Sequence, residues 1–147
     1  MACAPGDSAA PARSDGDHEH VAPHGGSLVE LGDELAHVEL VLDPSLGRIT
    51  AYVLDGEAEQ PVRIAQPALV LAFDAPASLA GRRLELKPRA SVLTGERPGD
   101  ASEFAVADEG LRDHGQVSGR LVEIAVRGQT FRDAAFTGVG PPAQADR

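Results

Sequence analysis

The chain has 147 residues, 42% of them hydrophobic but only 3% aromatic, with a formal net charge of −10. That length suits one domain, whose core must be built from Leu, Val, Ile and Ala, and the lack of Trp argues against an antibody-type core. The acidity excludes nucleic acid as a partner and disfavours anionic lipid, because no basic patch offsets it; Arg82-Arg83 is the only adjacent basic pair.

In chain order, residues 1–25 are rich in Ala, Pro, Gly, Ser and Asp without a hydrophobic period, which predicts a disordered leader. They contain no apolar segment of the signal-peptide type, and no run anywhere reaches the roughly 18 apolar residues of a spanning helix. Two placements stay open on these grounds: a cytosolic protein, or an exported one whose signal precedes this numbering. The single cysteine, Cys3, has no internal disulfide partner. Its stretch "MACAPGDSAAPARSDGD" resembles the start of a mature bacterial lipoprotein, in which a lipidated cysteine opens a flexible tether. The resemblance implies lipidation at Cys3, with a membrane contact only through that anchor.

The leader ends in "HEHVAPHGG". His18 and His20 stand two apart, so an extended chain puts both on one side, and His24 precedes the flexible Gly25-Gly26. Neutral imidazoles are ligands for Zn²⁺ and Cu²⁺, and the acidic neighbours Asp15, Asp17 and Glu19 would concentrate cations. The competing reading is a set of solvated tail histidines, since ordering a leader around a metal costs conformational entropy.

From residue 27 the pattern becomes short runs of β-type residues separated by turn signals. "SLVELG" (27–32) is the first strand. "LAHVELVLD" (35–43) follows, with Ala36, Val38, Leu40 and Leu42 on one face and Leu35, His37, Glu39 and Val41 on the opposite, polar face. His37 is expected there as a surface residue, or as a fourth ligand if the leader folds back. "DPSLG" (43–47) is a turn, with Pro44 presetting φ and Gly47 free to take a positive φ, and "RITAYVLD" (48–55) completes a hairpin. "PVRI" (61–64), "PALVLAFD" (67–74), "RRLELKP" (82–88) and "SEFAVAD" (102–108) are further strands. "DEGLRDHG" (108–115) is a loop or one helical turn, with His114 as a loop residue. "RLVEIAVRGQTFRDAAF" (120–136) is a closing hairpin turning at Arg127-Gly128, and residues 138–147 form a tail.

Seven or eight short strands with no 3.6-residue period predict an all-β domain over 26–137. An antiparallel β-sandwich of immunoglobulin-like or Greek-key type is the first choice and a small barrel the second. No enzyme motif is present: "HEH" lacks the H-E-x-x-H spacing, and there is no G-x-S-x-G, P-loop or dinucleotide fingerprint. The acidic pairs Asp33-Glu34 and Asp108-Glu109 sit at turns and read as turn chemistry. A non-enzymatic protein is expected, with no cofactor beyond a Cu or Zn ion.

The motifs His24-Gly25-Gly26, Glu30-Leu31-Gly32-Asp33, His37 to Asp43, Gly47, Tyr52-Val53-Leu54-Asp55 and Pro61-Val62-Arg63-Ile64 resemble a family of small exported bacterial proteins, often lipoproteins. The likeness is dense to residue 64 and looser to 136. A related pattern occurs in the extra N-terminal domain of heavy-metal efflux periplasmic adaptor proteins. The resemblance implies a periplasmic or lipid-anchored location and a metal-handling role; His18, His20 and His24 would then be the ligands, with His37 completing the site if the leader folds back onto its strand. The chain departs from an adaptor in having no helical hairpin and no lipoyl-like half. The alternative is a structural module of the cell envelope that binds another envelope protein through strand edges or loops.

Overall fold

The computed structural model describes residues 20–142. Eight strands form one antiparallel sheet: β1 (Ser27–Leu31), β2 (Ala36–Asp43), β3 (Arg48–Asp55), β4 (Leu69–Ala75), β5 (Arg83–Pro88), β6 (Glu103–Ala107), β7 (Val117–Val126) and β8 (Gln129–Val139). Their spatial order is β1-β2-β3-β6-β5-β4-β7-β8. Strands β4, β5 and β6 are consecutive neighbours, β6 returns beside β3, and β7 lies beside β4, so two Greek keys overlap. The sheet curls until β1 lies against β8, and past the end of β1 the Leu42 amide of β2 donates to the Gly140 carbonyl, just after β8, at 3.4 Å. The result is a nearly closed barrel with a sandwich-like cross-section. Its two halves are continuous through β5, which pairs with β4 over residues 83–86 and with β6 at Lys87 and Pro88.

Strand alternation explains the core. Val38, Leu40 and Leu42 of β2, Ile49, Ala51 and Val53 of β3, and Leu69, Leu71 and Phe73 of β4 all point inward and are buried. With so few aromatics, packing is aliphatic around Phe73, Phe104 and Phe136, and Phe73 meets Phe136 edge to face at 5.9 Å. At the β4–β7 bulge only glycine fits, because a Cβ on Gly119 would lie 2.1 Å from the Ala72 carbonyl oxygen.

The hairpin read at 43–47 is present in the expected register, Asp43 opposite Arg48, with Gly47 at φ 64°. Asp43 Oδ1 accepts from the Ser45 and Leu46 amides and from Ser45 Oγ, which ties the turn shut. "PVRI" forms no strand; it makes isolated bridges, Leu54 to Pro61, flanked by the Asp55–Gln60 and Val62–Val53 backbone bonds, and Ile64 to Ala101. The stretch after Asp108 is a single 3-10 turn, Glu109–Leu111, capped by the Asp108 side chain. Strands β7 and β8 run further than "RLVEIAVRGQTFRDAAF": β7 begins at Val117, and β8 ends at Val139, itself fully buried.

Candidate functional site

The outer face of β2 and β3 carries a row of side chains that the barrel interior does not need. The strand register sets His37 opposite Leu54 and Glu39 opposite Tyr52. Tyr52 in turn faces Glu103 of β6. Residues 20–26 lie over this face as a strap, with a turn where the Gly25 amide donates to the Ala22 carbonyl at 3.0 Å.

Glu39 holds the strap down. Its carboxylate is fully buried, and Oε2 accepts from the His24 and Gly26 amides, both at 2.8 Å. Its other oxygen lies 2.8 Å from His24 Nδ1. A carboxylate can only accept, so Nδ1 carries the hydrogen. These three bonds compensate for taking a carboxylate out of water. Close approach also requires Gly26 to be glycine: a Cβ there would lie 2.4 Å from the Leu40 carbonyl oxygen and 2.7 Å from Val41 Cγ2.

The strap brings two histidines onto the sheet at different places. His24 stacks flat on Tyr52, with ring centroids 3.7 Å apart and planes 6° from parallel. His20 meets His37 edge on at 4.9 Å, and His20 Nε2 lies 3.7 Å from Glu34 Oε2. His37 is 3% exposed, and its Nδ1 donates to the Asp55 carbonyl at 3.1 Å. The expectation of His37 on a solvated face is therefore corrected: the strap covers that face. Residues 20–26, at the end of the expected leader, run over this face with Val21 81% exposed, and the His24 and Gly26 amides are the backbone donors to the Glu39 carboxylate.

Beside the strap lies a cleft of about 360 Å³. It is lined by Pro23 and His24 of the strap, Tyr52 and Leu54 of β3, and Glu59 and Pro61. The far side comes from the loop around residues 91–96 and from Ser102 and Glu103. Glu96 stiffens that side: its carboxylate accepts from the Ser102 amide at 2.9 Å and from Ser102 Oγ at 2.8 Å. Arg63 ties the same loop, with Nε 3.8 Å from Glu96, Nη1 3.1 Å from Asp100, and a further bond to the Thr94 carbonyl. Burial holds the Tyr52 phenol above the usual tyrosine range. The Glu103 and Glu39 carboxylates push the same way, against Arg89 and Arg48.

Of the residues marked as ligands, His20 and His37 come together, while His24 is engaged by Glu39 and Tyr52. His18, and Cys3 as the lipidation site, lie outside the described residues. Among the described residues no group of three or more His, Cys, Asp or Glu side chains is arranged to hold a metal ion. His114 is apart from all of these, its Nε2 3.3 Å from Ser78 Oγ. Sequence reading missed Glu39, Tyr52 and the cleft. The available clue was Glu39 standing two residues after His37 on a strand whose covering layer is its own leader.

These features define an all-β domain, one antiparallel sheet nearly closed into a barrel, with a strapped cleft on its outer face. Compared with protein-family models, curated proteins and solved structures, the chain has no match.

Proposed function

We propose that this protein is a non-enzymatic binding domain of the bacterial cell envelope, and that its binding surface is the strapped outer face of β2 and β3. The observation that carries this reading is Glu39: a fully buried carboxylate outside the main core, spent on holding a strap that walls a cleft. A fold that only needed stability would place an apolar residue there, since a buried charge is an inefficient stabiliser. Envelope placement, periplasmic or lipid-anchored, is drawn from the family resemblance and from Cys3. An upstream apolar segment ending in a lipobox would support it, and a gene without one removes it.

The test is an amide-shift titration of the labelled full-length chain with acidic, neutral and basic peptides and with Zn²⁺ and Cu²⁺. Saturable shifts clustered on residues 24, 52–54 and 102–103 are expected for at least one ligand. Shifts that are absent, or spread evenly, for the whole panel overturn the reading.

A second reading, transition-metal binding, is favoured by one detail. His24 and His37 each have Nδ1 bound to an oxygen acceptor, which leaves the Nε2 lone pair as the ligating position in the neutral ring. With His20 against His37, and His18 two residues upstream, the imidazoles would supply the ligands. Calorimetry with Cu²⁺ and Zn²⁺ on the natural chain, and on a variant with His18, His20 and His24 all changed to Ala, tests it. Equal weak heats from both overturn the metal reading and leave the cleft untouched.

A further inference from the structure

We infer that the cleft takes the guanidinium of an arginine on a partner protein, presented beside an apolar residue that packs on the neighbouring loop tip. This rests on reading the domain as a binding module and names the chemistry of its ligand. Four features converge on it.

The first is shape and lining. The cleft holds about 360 Å³, room for one long side chain, with aromatic and proline walls suited to a methylene stem. The second is charge. Glu96 is engaged by Ser102 and Arg63. Glu59 and Glu103 also line the cleft, and among the described residues neither makes a side-chain ion pair. The whole chain, at −10, adds attraction for a basic partner.

The third is an internal precedent. His24 is a flat ring stacked on Tyr52, with its Nδ1–H bonded to a carboxylate. A guanidinium is also planar, stacks on aromatic faces and donates to carboxylates in its own plane. The strap thus occupies one part of the face with the chemistry that the open part would accept from outside.

The fourth is the rim. Val92 and Leu93 are 100% and 93% exposed, the most exposed large hydrophobics of the described residues. Their loop is held rigid: Ser91 N donates to the Glu96 carbonyl at 3.0 Å, and Gly95 N donates to the Ser91 carbonyl at 2.8 Å. Ser91 and Thr94, on either side of the pair, line the cleft. Two adjacent apolar side chains on a braced tip beside an acidic cleft suit a basic residue flanked by an apolar one.

The probe is an acetylated, amidated Leu-Arg-Leu peptide titrated into the full-length chain. Tyr52 is the only tyrosine and there is no tryptophan, so intrinsic fluorescence reports the cleft alone. Saturable binding is expected. It should weaken about fivefold or more when citrulline, of the same shape without charge, replaces arginine. Glu103→Gln should weaken it about threefold, and Val92→Ser with Leu93→Ser by a similar factor, whereas Glu85→Gln, outside the cleft, leaves it unchanged. Circular dichroism of each variant checks that it is folded. No saturation up to millimolar peptide, equal affinity for arginine and citrulline, or equal effects of Glu103→Gln and Glu85→Gln would overturn the inference. Saturable shifts at the cleft with acidic or neutral peptides alone would also overturn it while leaving the binding-domain reading intact. No cleft response to any peptide or metal removes both.

Discussion

At the scale of single residues, Glu39 shows how alternation along a strand can mislead. A glutamate on the face opposite Val38 and Leu40 is expected in water. Here the strap buries it and provides its three donors. Replacing it with Gln keeps the shape but exchanges charge-assisted bonds for neutral ones, and the NH₂ then faces His24 Nδ1, which can accept it only by switching tautomer. Glu39→Gln is therefore expected to cost about 1–3 kcal/mol in urea unfolding and to speed hydrogen exchange at the His24 and Gly26 amides. Tyr52 makes a second prediction. Burial raises its phenol above the usual value of 10.0, so its absorbance titration should lie above that of free tyrosine. A raised folded pKa means that this contribution to stability is complete below pH 10.0 and is lost as pH rises toward the folded value. Glu103→Gln should move the titration back down.

At the scale of elements, the β2–β3 hairpin was legible because every signal is local: alternation, Pro44, Gly47 and an Asp that closes its own turn. The same kind of capping recurs at Asp55, which accepts from the Glu57 and Glu59 amides, and at Asp108, which accepts from Gly110 and from Arg82. Hydrogen bonds hold all three carboxyls below the usual aspartate value: chiefly from the Ser45 side chain at Asp43, the Glu59 amide at Asp55 and the Gly110 amide at Asp108. A depressed folded pKa gives stability that is present above the usual value of 3.8 and lost as pH falls through the lower, folded one. Asp108→Ala should shrink that acid limb and cost about 1 kcal/mol at neutral pH, measured by urea unfolding across pH. The join between the sheet halves is short, with β5 and β6 paired only at Lys87–Ala105 and Pro88–Phe104. Phe104, fully buried behind that join, is the side chain whose removal should hurt most there: Phe104→Ala is expected to cost about 3–5 kcal/mol.

At the scale of the whole molecule, 23 acidic residues against 13 basic ones leave a compact domain that repels itself. Raising NaCl from about 0.02 to 0.3 M should lift the thermal midpoint, because screening relieves that repulsion at lengths beyond a Debye length. A midpoint that falls with salt would mean that surface pairs such as Arg82–Asp108 and Arg120–Asp74 outweigh it. The strand order lies at this scale too. Pairing β3 with β6 and β4 with β7 joins residues more than forty positions apart, at Thr50–Ala105 and Leu71–Leu121, and no local pattern encodes those partners.

The sequence by itself determined the all-β class, the position of most strands, the β2–β3 turn and which side chains face the core. All of these follow from two-residue alternation and turn chemistry, read within ten residues or so. Only the tertiary structure decided the closure of β1 against β8, the failure of 61–64 to form a strand and the burial of His37 and Glu39. It also brought His20 to His37 and His24 to Tyr52, and opened the cleft between the strap and the 91–96 loop. The reason is the same in each case. These outcomes depend on what covers a face from a distance along the chain, and a face that looks polar in the sequence becomes an interior once its own leader supplies the hydrogen bonds it needs.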